Sequence, residues 1–98
     1  MIIGAGISGL SAAYEALSYA REIVIVDENR IYQGSTASTT AKITVQHGFI
    51  FDKLLRSLGK KAAKLYYEYN LRGLKRIEEI VRNERIECDF RKVNSYLF

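Results

Sequence analysis

Three glycines near the start of the chain, Gly4, Gly6 and Gly9, constrain the fold more than any other feature. They follow an apolar stub, Met1-Ile2-Ile3, and precede Leu10, Ala13, Tyr14 and Leu17, which recur at the 3,4 spacing of an amphipathic helix expected to end near Ala20. Ile23-Val24-Ile25-Val26 is then a continuous β-branched run between Glu22 and Asp27, the pattern of a strand buried on both faces of a parallel sheet. Strand, glycine turn, helix and strand make a βαβ unit. A right-handed crossover sets the two strands side by side, with the glycine turn and Asp27 both at the carboxyl edge where open α/β sheets bind ligands.

The Gly4, Gly6, Gly9 spacing is that of the dinucleotide fingerprint, and each glycine answers a separate need: a tight turn, room for a pyrophosphate against the backbone, and close helix–strand packing. Unpaired N–H groups and the positive end of the helix dipole stabilise the pyrophosphate without a cationic side chain. Asp27 follows Gly9 at the end of the next strand, where a carboxylate accepts hydrogen bonds from ribose hydroxyls and disfavours a 2′-phosphate. Glu28 is the adjacent competitor for that role. The alternatives are a plain strand-to-helix turn for the glycines and a solvated strand end for Asp27.

Residues 28–48 hold no sustained period and are rich in Ser and Thr, which marks a ligand-contacting loop and leaves a helical turn over Ala37–Val45 open. Phe51, Leu54, Leu55 and Leu58, between Asp52 as N-cap and Gly59, predict a short helix. A longer one over about residues 60–83 shows its apolar face in Ala63, Tyr66, Tyr67, Leu74, Ile77, Ile80 and Val81. Gly73 lies in its middle either as a tolerated cost or as a close-packing point. Ile86–Phe90 and Val93–Phe98 alternate as two short strands.

Composition removes whole classes of function. At 98 residues with 48% hydrophobic content and no proline, the chain is one small globular domain that hides only about 60–65% of its unfolded surface. One cysteine, Cys88, excludes an internal disulfide and leaves no metal-ligand pair; the alternation around it predicts a small buried residue. No apolar run approaches the roughly 18 residues of a membrane span, and no signal peptide precedes the first strand, so the expected location is cytoplasmic. Residues 1–52 carry three cations against five carboxylates and the remainder twelve against six. That basic half mixes acids at helical spacing, Glu68 with Arg72 and Glu78 with Arg82, so a solvated helix face is expected in place of a nucleic-acid surface. His47, the one histidine, has no sequence partner that would make it an acid or base, and a hydrogen-bonded structural role is expected.

The opening Ile-Ile-Gly-Ala-Gly-Ile-Ser-Gly-Leu-Ser-Ala-Ala-Tyr-Glu resembles the start of FAD-dependent oxidoreductases. Gly34-Ser35-Thr36-Ala37-Ser38-Thr39-Thr40-Ala41-Lys42 is similar to the second flavin-contacting loop of the D-amino-acid oxidase and glycine oxidase superfamily. Lys42–Gly48 resembles a bacterial branch whose longer members often end in a Rieske iron–sulfur domain, and Ile86–Phe90 with Tyr96–Phe98 resembles the strands that enter the substrate domain. The resemblance implies a Rossmann-like α/β FAD domain. It also implies oxidation of an amine or amino acid by hydride transfer to FAD, with Gly4, Gly6, Ile7, Ser8 and Gly9 at the pyrophosphate and Asp27 at the adenosine ribose. Ser35, Thr36, Thr40, Ala41 and Lys42 would approach the pyrophosphate or the ring. Lys42 is either a cation that stabilises the reduced flavin or a solvated loop lysine.

Three departures accompany the resemblance: Met1 stands in the first strand itself, Ala20 replaces a usual glycine, and Asp27 replaces a usual glutamate. The chain also stops before the distal flavin-binding turn and most of the substrate domain. The expectation is therefore an N-terminal portion, 1–48 dinucleotide-binding and 49–98 helical with the first substrate-domain strands, inactive alone and completed by the remainder of an enzyme chain. An NAD-binding Rossmann oxidoreductase and a non-enzymatic nucleotide-fold remnant or interaction module are the rival readings.

Overall fold

The computed structural model describes residues 1–31 and 33–96. They form two compact units, residues 1–42 and 43–98, each built on its own helix.

In the first unit, β1 (Ile2–Ile3), α1 (Ile7–Ala16) and β2 (Ile25–Val26) follow in order, and β1 pairs parallel with β2 in the register Ile2 to Ile25 and Ile3 to Val26. The pairing is carried by Ile2 N–H on the Val24 carbonyl at 2.8 Å and Gly4 N–H on the Val26 carbonyl at 2.7 Å. Helix α1 packs on β1. Leu10, Ala13 and Tyr14 turn inward as their spacing requires, while α1 stops at Ala16, so that Leu17 and Ala20 lie in the turn beyond it. The strand run is not buried on both faces: Ile23 and Ile25 are half-buried, whereas Val24 and Val26 are each 47% exposed. One helix covers one face of a two-stranded sheet, and β-branched side chains on the other remain against water. The described residues of the loop after β2 hold turns over 34–38 and no helix.

In the second unit, α2 (Ile50–Asn83) is interrupted at Gly59, whose φ of 79° and ψ of 175° leave the helical region and divide the run where two helices were expected. A left-handed φ costs glycine nothing and any β-carbon-bearing residue about 1 kcal/mol or more. Asp52 is in the first turn, not at the N-cap, which is Phe49; its charge still faces the positive end of the dipole. Ala63 is buried and Tyr66, Leu74, Ile77, Ile80 and Val81 are half-buried, the expected stripe, while Tyr67 is exposed. Ion pairs one turn apart follow along α2: Arg56–Asp52 at 3.0 Å before the break, then Lys64–Glu68 at 3.7 Å and Arg82–Glu78 at 3.2 Å. Arg72, expected beside Glu68, lies over the Tyr69 ring at 5.7 Å.

The two strands expected after α2 do not form among the described residues: 86–96 contain no strand. Asp89 has φ 52°, which breaks the alternation of Ile86–Phe90, and no neighbouring strand offers this segment a ladder. Cys88 is correspondingly exposed, not buried. Leu97 and Phe98 lie outside the described residues. No helix among those described is long and apolar enough to cross a membrane.

Candidate nucleotide-binding site

The three glycines of the opening turn are required for three different physical reasons. Gly4 has φ 101°, a conformation that L side chains rarely adopt. A β-carbon at Gly6 would stand 3.2 Å from Thr36 Oγ1, closer than an ordinary contact. A β-carbon at Gly9 would overlap the Gly4 carbonyl oxygen and press on Ile2, because α1 runs hard against the end of β1 there. Gly4 thus makes the tight turn and Gly9 the close helix–strand packing that the spacing called for, while the face of Gly6 lies against the Thr36 hydroxyl.

Helix α1 begins with Gly6 as N-cap, in extended conformation and with no capping side chain of its own. Its first N–H groups, on Ile7, Ser8 and Gly9, have no intrahelical acceptor. Thr36 Oγ1, half-buried and arriving from the loop after β2, accepts from Ile7 N–H at 3.1 Å. An oxygen from a distant loop therefore already stands where the helix dipole is positive, and Ser8 and Gly9 present further donors beside it.

Asp27 follows β2 directly and reaches back to the same turn. Its Oδ2 accepts from Ala5 N–H at 2.6 Å and its Oδ1 from Asn29 N–H at 2.8 Å. The Ala5 bond first, and the Asn29 bond second, hold its carboxyl below the ordinary value of 3.8, against a small opposing effect of desolvation. Each carboxylate oxygen keeps a further lone pair for a hydroxyl donor. Among the described residues the bond to the turn goes to Asp27 and not to Glu28, the competing carboxylate.

Contacts through Ala5 and Thr36 thus bring Gly4, Gly6, Ile7, Gly9, Asp27 and Thr36 into one site, with Ser8 in the first turn of α1 and Ser35 in the turn that carries Thr36. Thr40, Ala41 and Lys42 have no hydrogen bond to the glycine turn among the described residues; Ala41 N–H turns instead to Thr39 Oγ1 at 3.3 Å, with Ala41 at φ 55°. Sequence reasoning missed Ala5, which is 6% exposed and gives its N–H to Asp27, and Asn29, whose N–H closes an Asx turn. The Asp-x-Asn order at 27–29 was the available signal for the second.

In the other unit, His47 Nδ1 and Tyr66 OH share a hydrogen bond at 2.8 Å, with the rings edge to face at 6.0 Å and Phe51 against the same tyrosine. The histidine is hydrogen-bonded to a phenol, as a structural role requires. No group of three or more His, Cys, Asp or Glu among the described residues could hold a metal ion.

The glycine turn, the bare Gly6, the α1 donors and the Asp27 carboxylate fit the adenosine and pyrophosphate portion of a dinucleotide. The family model for FAD dependent oxidoreductases, DAO, matches residues 1–98. A protein of Bacillus subtilis (strain 168) with the provisional name Rieske 2Fe-2S iron-sulfur protein YhfW is 39% identical over 97 residues, which cover 99% of this chain and 19% of that protein. An oxidoreductase of Haemophilus influenzae provisionally named OrdL is 24% identical over 91 residues, 93% of this chain and 21% of its own length. The gamma-glutamylputrescine oxidoreductase of Escherichia coli (strain K12) is 23% identical over 90 residues, 92% of this chain and 21% of its own length. The chain spans about a fifth of the length of these relatives. No solved structure matches it significantly. With a fingerprint in its strand–turn–helix setting and a family match along its whole length, the chain belongs to the FAD dependent oxidoreductase family.

Proposed function

We propose that residues 1–48 bind the adenosine pyrophosphate half of FAD, as the N-terminal portion of an enzyme that oxidises an amine or amino acid. The observation that carries this reading is the glycine turn itself: Gly6 sets no side chain beside the first N–H groups of α1, where the Thr36 hydroxyl is the oxygen in contact. In this role Gly4 sets the turn, Gly6, Ile7, Ser8 and Gly9 surround the pyrophosphate, and Asp27 accepts from the ribose hydroxyls. Thr36 and Ser35 bring hydroxyls to the same oxygens, and Thr40, Ala41 and Lys42 continue the loop toward the ring. Lys42 would set a positive charge near it. When bound, the flavin supplies the acceptor for a hydride from the carbon beside the substrate nitrogen. One relative is named for gamma-glutamylputrescine, which supports a nitrogen-bearing substrate for this chain too. Residues 49–98 would lead into the substrate domain, the rest of the enzyme chain would complete the active site, and a cytoplasmic setting accords with this.

The test is competition. FAD and ADP should bind the purified protein and displace one another, whereas FMN, which lacks the adenosine half, should not compete. Binding of FMN with no binding of ADP would refute the assignment.

A further inference from the structure

We propose that Asp27 is the positioning residue of the glycine turn: its carboxylate ties the end of β2 to Ala5, just past β1, and so holds the pyrophosphate donors in place, besides any contact with ribose. The proposal rests on the nucleotide reading above. Along the ladder, Ile2 N–H goes to the Val24 carbonyl and Gly4 N–H to the Val26 carbonyl. Beyond it the chain leaves the strand at Gly4, φ 101°, and the turned Ala5 N–H finds its acceptor in the Asp27 side chain at 2.6 Å, a short charge-assisted bond. Ala5 is 6% exposed, one of three buried residues among those described, so this N–H has little access to water as a substitute. Without the carboxylate it would be left a partly buried donor at the point where the chain turns through Gly4 into the pyrophosphate loop.

The second oxygen fixes the first. Oδ1 accepts from Asn29 N–H at 2.8 Å, an i to i+2 Asx turn whose ring is the right size only for the short side chain. One carboxylate therefore ties two turns together, the one before α1 and the one after β2. A glutamate is one methylene longer and cannot close the same ring, which gives a reason for aspartate at this position.

The experiment uses inorganic pyrophosphate and ADP as probes, with Asp27→Asn and Asp27→Glu variants, followed by NMR. Pyrophosphate has no ribose, so the two possible roles of Asp27 differ in sign. A carboxylate that serves the ribose alone only repels pyrophosphate, and D27N should then bind it as well as or better than the unchanged protein. A positioning carboxylate predicts about tenfold or greater weakening in D27N, the scale of one lost hydrogen bond to a charged group. It also predicts an upfield shift and faster exchange of the Ala5 amide, with partial recovery in D27E, which restores the charge but not the Asx ring. Because a variant can fail to fold, a through-hydrogen-bond coupling between Ala5 15N and Asp27 13Cγ in the unchanged protein provides an independent reading. Its presence together with weakened pyrophosphate binding supports the proposal. Absence of the coupling, or D27N that loses ADP while keeping pyrophosphate, overturns it. If the unchanged protein binds neither probe, the nucleotide reading fails, while the coupling and the Ala5 amide still decide whether Asp27 holds the turn.

Discussion

At the scale of single residues, the site depends on what is missing from side chains as much as on what they carry. Gly9→Ala forces a β-carbon into the Gly4 carbonyl oxygen. Overpacking of this kind costs about 1–3 kcal/mol, and here it also moves α1 away from the turn, so denaturant titration should show the loss and ADP binding should fall with it. Asp27 gives a pH dependence of definite sign. Its folded carboxyl is lowered by the Ala5 and Asn29 bonds, so the stabilisation is complete above the unfolded value near 3.8 and is lost as pH falls through the lower folded value. Unfolding followed across that acid range should show a drop that is absent in D27N; an identical profile would remove Asp27 from the account. The roles of Gly4, Gly6 and Gly9 were legible in the sequence because spacing alone implies them. The Ala5–Asp27 bond was not, because its donor is a backbone N–H and periodicity reports only on side chains. Thr36 was singled out by resemblance, but its bond to Ile7 bridges 29 positions that no local pattern connects.

At the scale of elements, the helices were legible and the last strands were not, for one physical reason. A helix satisfies its hydrogen bonds within itself, so the stripe from Ala63 to Val81 and the interruption at Gly59 follow from local sequence. A strand needs a partner, and β1 and β2 have one in each other while Ile86–Phe90 has none among the described residues and is broken by Asp89 at φ 52°. Two glycines of α2 should respond oppositely to alanine. Gly73 is helical with nothing within 4 Å of a built β-carbon, so it is not a close-packing point here. Gly73→Ala should stabilise the helix by about 1 kcal/mol, whereas Gly59→Ala, at φ 79°, should destabilise by about 1 kcal/mol or more. Far-UV circular dichroism during urea unfolding reads both, and equal responses would contradict the assigned break.

At the scale of the whole molecule, the buried residues among those described are Ala5, Ala13 and Ala63, at 6%, 9% and 7% exposure, and none has a side chain larger than a methyl group. Apolar burial is thus a weak source of stability in each unit, and a ligand that binds only the folded form should have a visible effect. At a hundred times its dissociation constant ADP should add about 2.7 kcal/mol by mass action, read as a rise in the melting temperature of this protein. The central claim is that the turn Gly4–Gly9 and Asp27 receive the adenosine pyrophosphate of FAD. Its most direct test is a 1H–15N NMR titration of the protein with ADP. The amides of Gly4, Ala5, Gly6, Ile7, Ser8, Gly9 and Asp27 should shift together and saturably, with Thr36 following them. A saturable response confined to residues of α2, or no response at the glycine turn, would contradict it.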